Sequence, residues 1–329
     1  MVLNVTTLVA LLACAGLGLA TPVRAQSEGP YPSRPVRLVV AFPPGGGADL
    51  TARLVAQRMS EGMGQPVVVE NRPGANGVVG SEAVAKATPD GYTLLLVDRG
   101  ALGINPSLYA KLPYDPVRDF AYVGIATEAP YVLVASTRTT VASVSDLVAE
   151  ARAHPGVLNY ASFGNGSMPQ LNMEAFSRNA RVQLQHVPYK GAAQAVNAVV
   201  AGEVDVALVS PPSALAFLRE GRVRALAVGA PRRVALMPDV PTMAEAGAAA
   251  DVLLPTWFGL AAPAGTPPGV IARLNAELKR ALAPAETVER LAAAGLLPVG
   301  GSADAMATSV RQDVARFAEI VRAIGLRPE

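Results

Sequence analysis

Short unbroken apolar runs punctuate this chain, and they restrict its fold more than any other feature. They occupy residues 36–42, 67–69, 93–97, 131–135, 206–209 and 225–228. A strand with one wet face alternates apolar and polar residues. A run without alternation marks a strand covered on both faces, as in parallel sheets. Between the runs the period changes to that of a helix. Leu50, Leu54, Val55 and Met59 follow Asp49, and Leu147, Val148 and Ala151 follow Ser143, with Asp146 placed as a capping-box variant. Val196, Val199 and Val200 precede Gly202, a glycine suited to ending a helix. This β-α order predicts an α/β protein. With 329 residues, 51 % hydrophobic and 16 % charged, the chain can bury a large core and accommodate two units.

The change of unit is predicted from the middle of the chain. Residues 119–135, DFAYVGIATEAPYVLVA, read as two extended runs joined by Glu128-Ala129-Pro130, and residues 143–228 as a second α/β unit. Residues 231–255 lack periodicity and are rich in Pro and Ala; residues 257–262 read as extended, and 267–282, 285–294 and 306–324 as helical. Two extended crossings, near residues 129 and 255, then join lobe 1 (residues 26–128 plus 255–329) to lobe 2 (residues 129–254). Ligands of such folds sit at the carboxyl ends of the strands, in the crevice between lobes.

Residues 1–25 read as a signal peptide. The apolar stretch 8–19 is too short to span a bilayer, and Val23-Arg24-Ala25 forms a small-x-small site for cleavage after Ala25. Residues 1–7 lack the usual Lys or Arg, and Cys14 offers an alternative reading as a lipid-attachment site. Cleavage after Ala25 removes the only cysteine, so the exported chain must rely on its core rather than on disulfides. His154 and His186, the only histidines, have no partner at metal-ligand spacing and read as structural. A net charge of +2 gives no nucleic-acid surface, and the arginines of residues 219–224 and Arg232-Arg233 read as solvated faces. No G-x-S-x-G elbow or Ser-His-Asp arrangement is present, and Glu174, Glu203 and Asp205 read as helix-face or turn residues. The expectation is a protein without catalysis, metal or cofactor.

What remains is a set of loops. Residues 42–50, FPPGGGADL, lead from a strand into a helix. A helix start presents unpaired N–H groups with partial positive charge, and glycines let a ligand reach the backbone. Phe42, Gly45, Gly46 and Gly47 therefore form a candidate anion site, with Asp49 as the expected N-cap; a ligand-free tight turn is the alternative. Neither G-x-G-x-x-G nor Gly-Lys-Ser/Thr is present, which excludes the nucleotide fingerprints. Residues 159–170, NYASFGNGSMPQ, repeat the pattern with Ser162, Gly164, Asn165, Gly166 and Ser167. The two loops can hold an anion from both sides of a cleft, unless the second is a plain surface turn. VPYKG adds Tyr189, able to line the cleft, and Lys190. In LVDRGALG, Arg99 suits a second carboxylate and Asp98 either neutralises it or accepts from a ligand amine; a self-contained Asp-Arg pair on the rim is the alternative.

Taken together, PVRLVVAFPPGGGAD, VVVENRPGANGVVG, TPDGYTLLL, INPSLYAKLPYDPVRDF, NYASFGNGS, HVPYKG, VRALAV, PDVPTMAEAG and WFGLAAPAGTPPGVIARLN resemble, in this order, the Bug-type periplasmic solute-binding proteins of tripartite tricarboxylate transporters. The resemblance implies a type II periplasmic binding fold, two α/β lobes closing on a small carboxylate (a di- or tricarboxylic, aromatic or amino acid). It also implies a monomer in the periplasm that hands its ligand to a membrane permease or, alternatively, reports to a sensor kinase. It nominates Gly45, Gly46, Gly47, Ser162, Asn165, Gly166 and Ser167 for one carboxylate. Two departures stand out. Met168-Pro169-Gln170-Leu171 replaces a frequent histidine after the second loop, and Asp98-Arg99 replaces small or hydroxyl residues where the far end of a ligand is read.

Overall fold

The run after Arg34 is β1 (Val36–Val40), which enters the glycine loop and then α1 (Gly47–Met63). The structure, a computed structural model, describes residues 31–189, 192–249 and 253–326. The leader reading, with Cys14 and Ala25, and Lys190 lie outside the described residues. Next come β2 (Val67–Asn71), α2 (Val78–Ala85), β3 (Thr93–Asp98), a π-helical turn at Gly100–Ile104, α3 (Asn105–Leu108) and β4 (Phe120–Ala129). The chain then builds β5 (Val132–Ser136), α4 (Val144–Ala153), β6 (Asn159–Ser162), α5 (Met168–Ala180), β7 (Gln185–Pro188), α6 (Ala192–Ala201), β8 (Val206–Val209), α7 (Pro211–Arg219) and β9 (Val223–Val228). It returns through β10 (Thr256–Pro263), α8 (Pro268–Leu282), α9 (Ala285–Ala293), β11 (Leu297–Pro298) and α10 (Ala303–Ala323).

Two sheets result. One has six strands in the order β11-β4-β10-β3-β1-β2, the other five in the order β7-β6-β8-β5-β9. Both are mixed, not parallel as the unbroken runs predict. β10 is antiparallel to β3 and β4, and β5 is antiparallel to β8 and β9. Burial on both faces, not strand direction, removes polar residues, and every residue of β5 is buried. The run at 67–69 departs in the other direction. β2 is a sheet edge, and Val68 is 52 % exposed. β4 and β10 pair along their lengths, Thr256 opposite Ala129, so the connections to the second sheet leave side by side at one end of a hydrogen-bonded ribbon.

Helix ends follow local chemistry. Ser143 caps α4 by accepting from the Asp146 N–H at 3.0 Å, and Asp146 reaches back to the Ala142 N–H at 3.1 Å. Gly202 closes α6 in the left-handed region, φ +72°. α2 lies almost flat on the end of β1. A β-carbon on Gly80 would sit 2.8 Å from the Ala41 Cα and 3.0 Å from the Arg72 carbonyl oxygen, both backbone atoms. Gly80→Ala is therefore expected to destabilise by about 1–3 kcal/mol, since the intruding methyl outweighs the helix preference for Ala. Urea unfolding measures it, and a stabilised variant would contradict the close packing.

A smaller apolar cluster ties the two sheets' layers together. Ile104 of the π-turn, Met168 and Leu171 of α5, and Phe317, Ile320 and Val321 of α10 pack against one another. Across the molecule, a β-carbon on Gly295 would touch Pro212 of α7 at 2.7 Å. No helix among the described residues is long and apolar enough to cross a membrane.

Candidate ligand-binding site

The glycine loop folds as the sequence suggests, with one correction. Asp49 is not the N-cap of α1. Gly46 holds that position with extended backbone (φ −87°, ψ 177°) and no side-chain cap. Asp49 sits inside the first turn and reaches back, its Oδ2 accepting from the Gly45 N–H at 3.0 Å and from Arg53 Nε at 2.9 Å. Its Oδ1 accepts from Asn71 Nδ2 at 2.9 Å, and Asn71 also donates to the Phe42 carbonyl at 3.1 Å. The Arg53 contact, followed in size by the Gly45 N–H among the favourable influences, holds the Asp49 carboxyl down at about 2. The acid thus braces the loop from beneath. Gly45 has φ +88°, a left-handed turn that suits glycine. The N–H groups of Gly46, Gly47 and Ala48 carry no hydrogen bond among the described residues. They are the open donors of a seventeen-residue helix.

The second loop is tied inward. The Gly164 carbonyl accepts from Ser162 Oγ (3.1 Å), Ser167 Oγ (2.7 Å) and the Ser167 N–H (3.3 Å). The Gly164 N–H donates to Ser162 Oγ at 3.1 Å, and the Gly166 N–H donates to Gln170 Oε1 at 2.7 Å. So the Gly166 N–H, nominated for a ligand, is already engaged by its own helix. Ser162 is fully buried beneath the loop. Two residues that the sequence does not nominate for the site complete this frame, Gln170 and His186. His186 Nε2 lies 2.6 Å from Ser162 Oγ and its Nδ1 lies 3.2 Å from Gln170 Nε2. Only the parallel register of β6 and β7, with Tyr160 opposite His186, brings it there. Asn165 and Tyr189 lie beside this frame; the Tyr189 N–H donates to the Ser162 carbonyl at 3.1 Å.

Asp98 and Arg99 close β3 but do not pair with each other. Asp98 Oδ1 accepts from the Ala101 N–H at 2.8 Å and starts the π-turn. Burial raises its carboxyl to about 6 against the pull of the Ala101 and Gly100 N–H groups. Arg99 is 8 % exposed and forms an ion pair with Asp313 of α10, Nε to Oδ2 at 3.1 Å. Neither its Nε nor its Nη1 has an aligned hydrogen-bond acceptor. Trp257 Nε1 donates to the same Asp313 Oδ2 at 3.1 Å. Burial, the largest influence on each, pushes Arg99 down and Asp313 up. Burial also raises Tyr131, at the crossing beside Asp98 and Arg99. The structural reading of His154 agrees with its exposed contact to Glu150 Oε1 at 2.9 Å, at the end of α4.

A cavity of about 630 Å³ lined by Tyr109, Pro113, Asp115 and Val314 lies elsewhere on the surface and includes neither loop. No group of three or more His, Cys, Asp or Glu that could hold a metal occurs among the described residues.

Comparison with known proteins identifies the family. Residues 51–326 match the model of the tripartite tricarboxylate transporter family receptor. Protein BugT of Bordetella pertussis is 38 % identical over 328 residues, 99 % of both chains. The structure of R. palustris Rpa4515 with adipate superposes with a TM-score of 0.75 at 34 % identity, covering 91 % of this chain and 100 % of that one. MatC from Rhodopseudomonas palustris with bound malate gives 0.70 at 35 % identity, over 88 % and 100 %. These relatives are solute-binding proteins, not enzymes. The chain belongs to the tripartite tricarboxylate transporter receptor family and has the type II periplasmic binding fold of its solute-binding members.

Proposed function

We propose that this protein captures a small dicarboxylate between two lobes, residues 26–128 with 255–329 and residues 129–254, and delivers it to a tripartite tricarboxylate-type permease. The observation that carries this reading is the open N-terminus of α1. Three consecutive N–H groups there have no hydrogen-bond acceptor among the described residues, while Asp49 is spent on Gly45, Asn71 and Arg53. Such an end attracts a carboxylate. In this reading Asn165 and Ser167 of the second loop serve the same carboxylate from the other lobe, and Phe42 and Tyr189 line the cleft. The adipate and malate held by the two relatives support this ligand class. The chain is exported and cut after Ala25, and works as a monomer outside the cytoplasm.

The far end of the ligand is read by Asp98 and Arg99, whose guanidinium keeps unaligned donors. A charge-assisted hydrogen bond is worth about 1.5–3 kcal/mol, roughly ten- to a hundredfold in affinity. Arg99→Met is therefore expected to weaken adipate by at least about tenfold relative to hexanoate. The ratio of two ligands cancels any general loss of stability. Equal losses, measured by calorimetry, would remove Arg99 from the site. Failure of every diacid in a thermal-shift panel to stabilise the wild-type protein would overturn the carboxylate reading itself.

A further inference from the structure

His186 has no part in the sites nominated from sequence, yet it lies under the second loop. Its surroundings decide its tautomer. Gln170 Oε1 accepts from the Gly166 N–H at 2.7 Å, which orients the amide so that Nε2, a donor, faces His186 Nδ1 at 3.2 Å. Nδ1 must then be the bare acceptor and Nε2 must carry the proton. Nε2–H donates to Ser162 Oγ at 2.6 Å, and the Gly164 N–H donates to the same oxygen at 3.1 Å. With two donors on its oxygen, the Ser162 hydroxyl gives its own hydrogen to the Gly164 carbonyl. That carbonyl, the negative end of a peptide unit in an anion loop, is thereby turned inward.

We propose that His186 is the positioning residue of the second loop: its Nε2–H tautomer, set by Gln170, makes Ser162 one of the donors that hold the Gly164 carbonyl inward, and protonation of the ring breaks the Gln170–Gly166 tether on the other side of the loop. An imidazolium carries a hydrogen on Nδ1 and meets the Gln170 amide donor head-on. The amide must turn, and its NH₂ then faces the Gly166 N–H, so the loop loses its Gly166 tether while Nε2–H still donates to Ser162.

Few charges compete for this ring. From β6 it meets Ser162 and the stacked ring of Tyr160, with centroids 5.1 Å apart. From α5 it meets Gln170, while Glu174 is engaged by the Tyr160 hydroxyl at 2.6 Å. Burial alone accounts for the lowered His186 pKa. A histidine held neutral by the fold stabilises it fully above its ordinary value near 6.5, and that contribution is lost as the pH falls through the lower folded value.

The inference rests on the carboxylate reading for its functional arm only. Nitrogen-15 spectra of the ligand-free protein should show His186 as the Nε2–H tautomer. The Gly164 and Gly166 amide signals should titrate with its midpoint, and Gln170→Glu should raise that midpoint by about one unit or more, because a carboxylate then faces Nδ1. An Nδ1–H tautomer, or glycine amides indifferent to the ring, would overturn the proposal. In the functional arm, adipate affinity of the wild type should fall about tenfold more than that of His186→Gln as the ring protonates. Identical pH profiles would also overturn it. If neither protein binds adipate or malate, the carboxylate reading fails, while the spectra still decide the role of His186.

Discussion

Gly46→Asp is expected to leave the fold intact and to abolish carboxylate binding. Gly46 is the N-cap of α1, in a conformation open to any residue, and a β-carbon added there meets no atom within 4 Å. Aspartate is also among the favoured N-caps and complements the helix dipole, so the ligand-free melting temperature should hold or rise slightly. The same carboxylate would occupy the space in front of the Gly47 and Ala48 N–H groups. Two like charges about 4 Å apart near a protein surface repel by roughly 4 kcal/mol, close to a thousandfold in affinity. Melting curves with and without adipate or malate measure this, with Gly46→Ser as the neutral control expected to retain most of the shift. Undiminished stabilisation of Gly46→Asp by a diacid would place the ligand elsewhere.

The largest loss of stability is expected from Asp313→Ala. Asp313 is the ion-pair partner of Arg99 and the acceptor for Trp257, and both neighbours are buried. Truncation removes the ion-pair contact of a buried guanidinium and leaves the unbonded charge of Glu128 nearby, in a setting where two of its nitrogens already lack aligned acceptors. Breaking one side of a buried pair costs about 3–5 kcal/mol. Replacing both sides with apolar groups is far milder, because no charge is then stranded. Asp313→Leu combined with Arg99→Met should therefore recover most of the loss in urea unfolding. A single-variant loss under about 1 kcal/mol would mean that water reaches the pair and screens it.

The elements were legible because their signals are local. Ser143 with Asp146 marks the start of one helix, Gly202 the end of another, and the run at 93–97 a strand that the structure buries. The glycine loop was legible as a strand-to-helix turn for the same reason. Sheet direction was not, since β5 is apolar on both faces whichever way its neighbours run. The distribution of work within the loops was also hidden. Asp49 looks like a cap because it precedes the apolar helix pattern, but the glycine before the helix already supplies the extended residue, and the acid is left to brace Gly45. His186 and Asp313 could not be nominated, because their roles depend on pairings across 24 residues to Ser162 and 56 residues to Trp257.

Trp257, the chain's single tryptophan, is fully buried on β10, one of the two crossing strands, and bonded to α10 through Asp313. Its emission therefore originates at one known point, the joint about which the lobes would turn. No other indole dilutes the signal and no dye needs attaching. A change in the ring's polarity or quenching on adding an acid would report strain at that joint rather than contact with the ligand. If the lobes turn as proposed, the protein carries a built-in optical gauge at that joint.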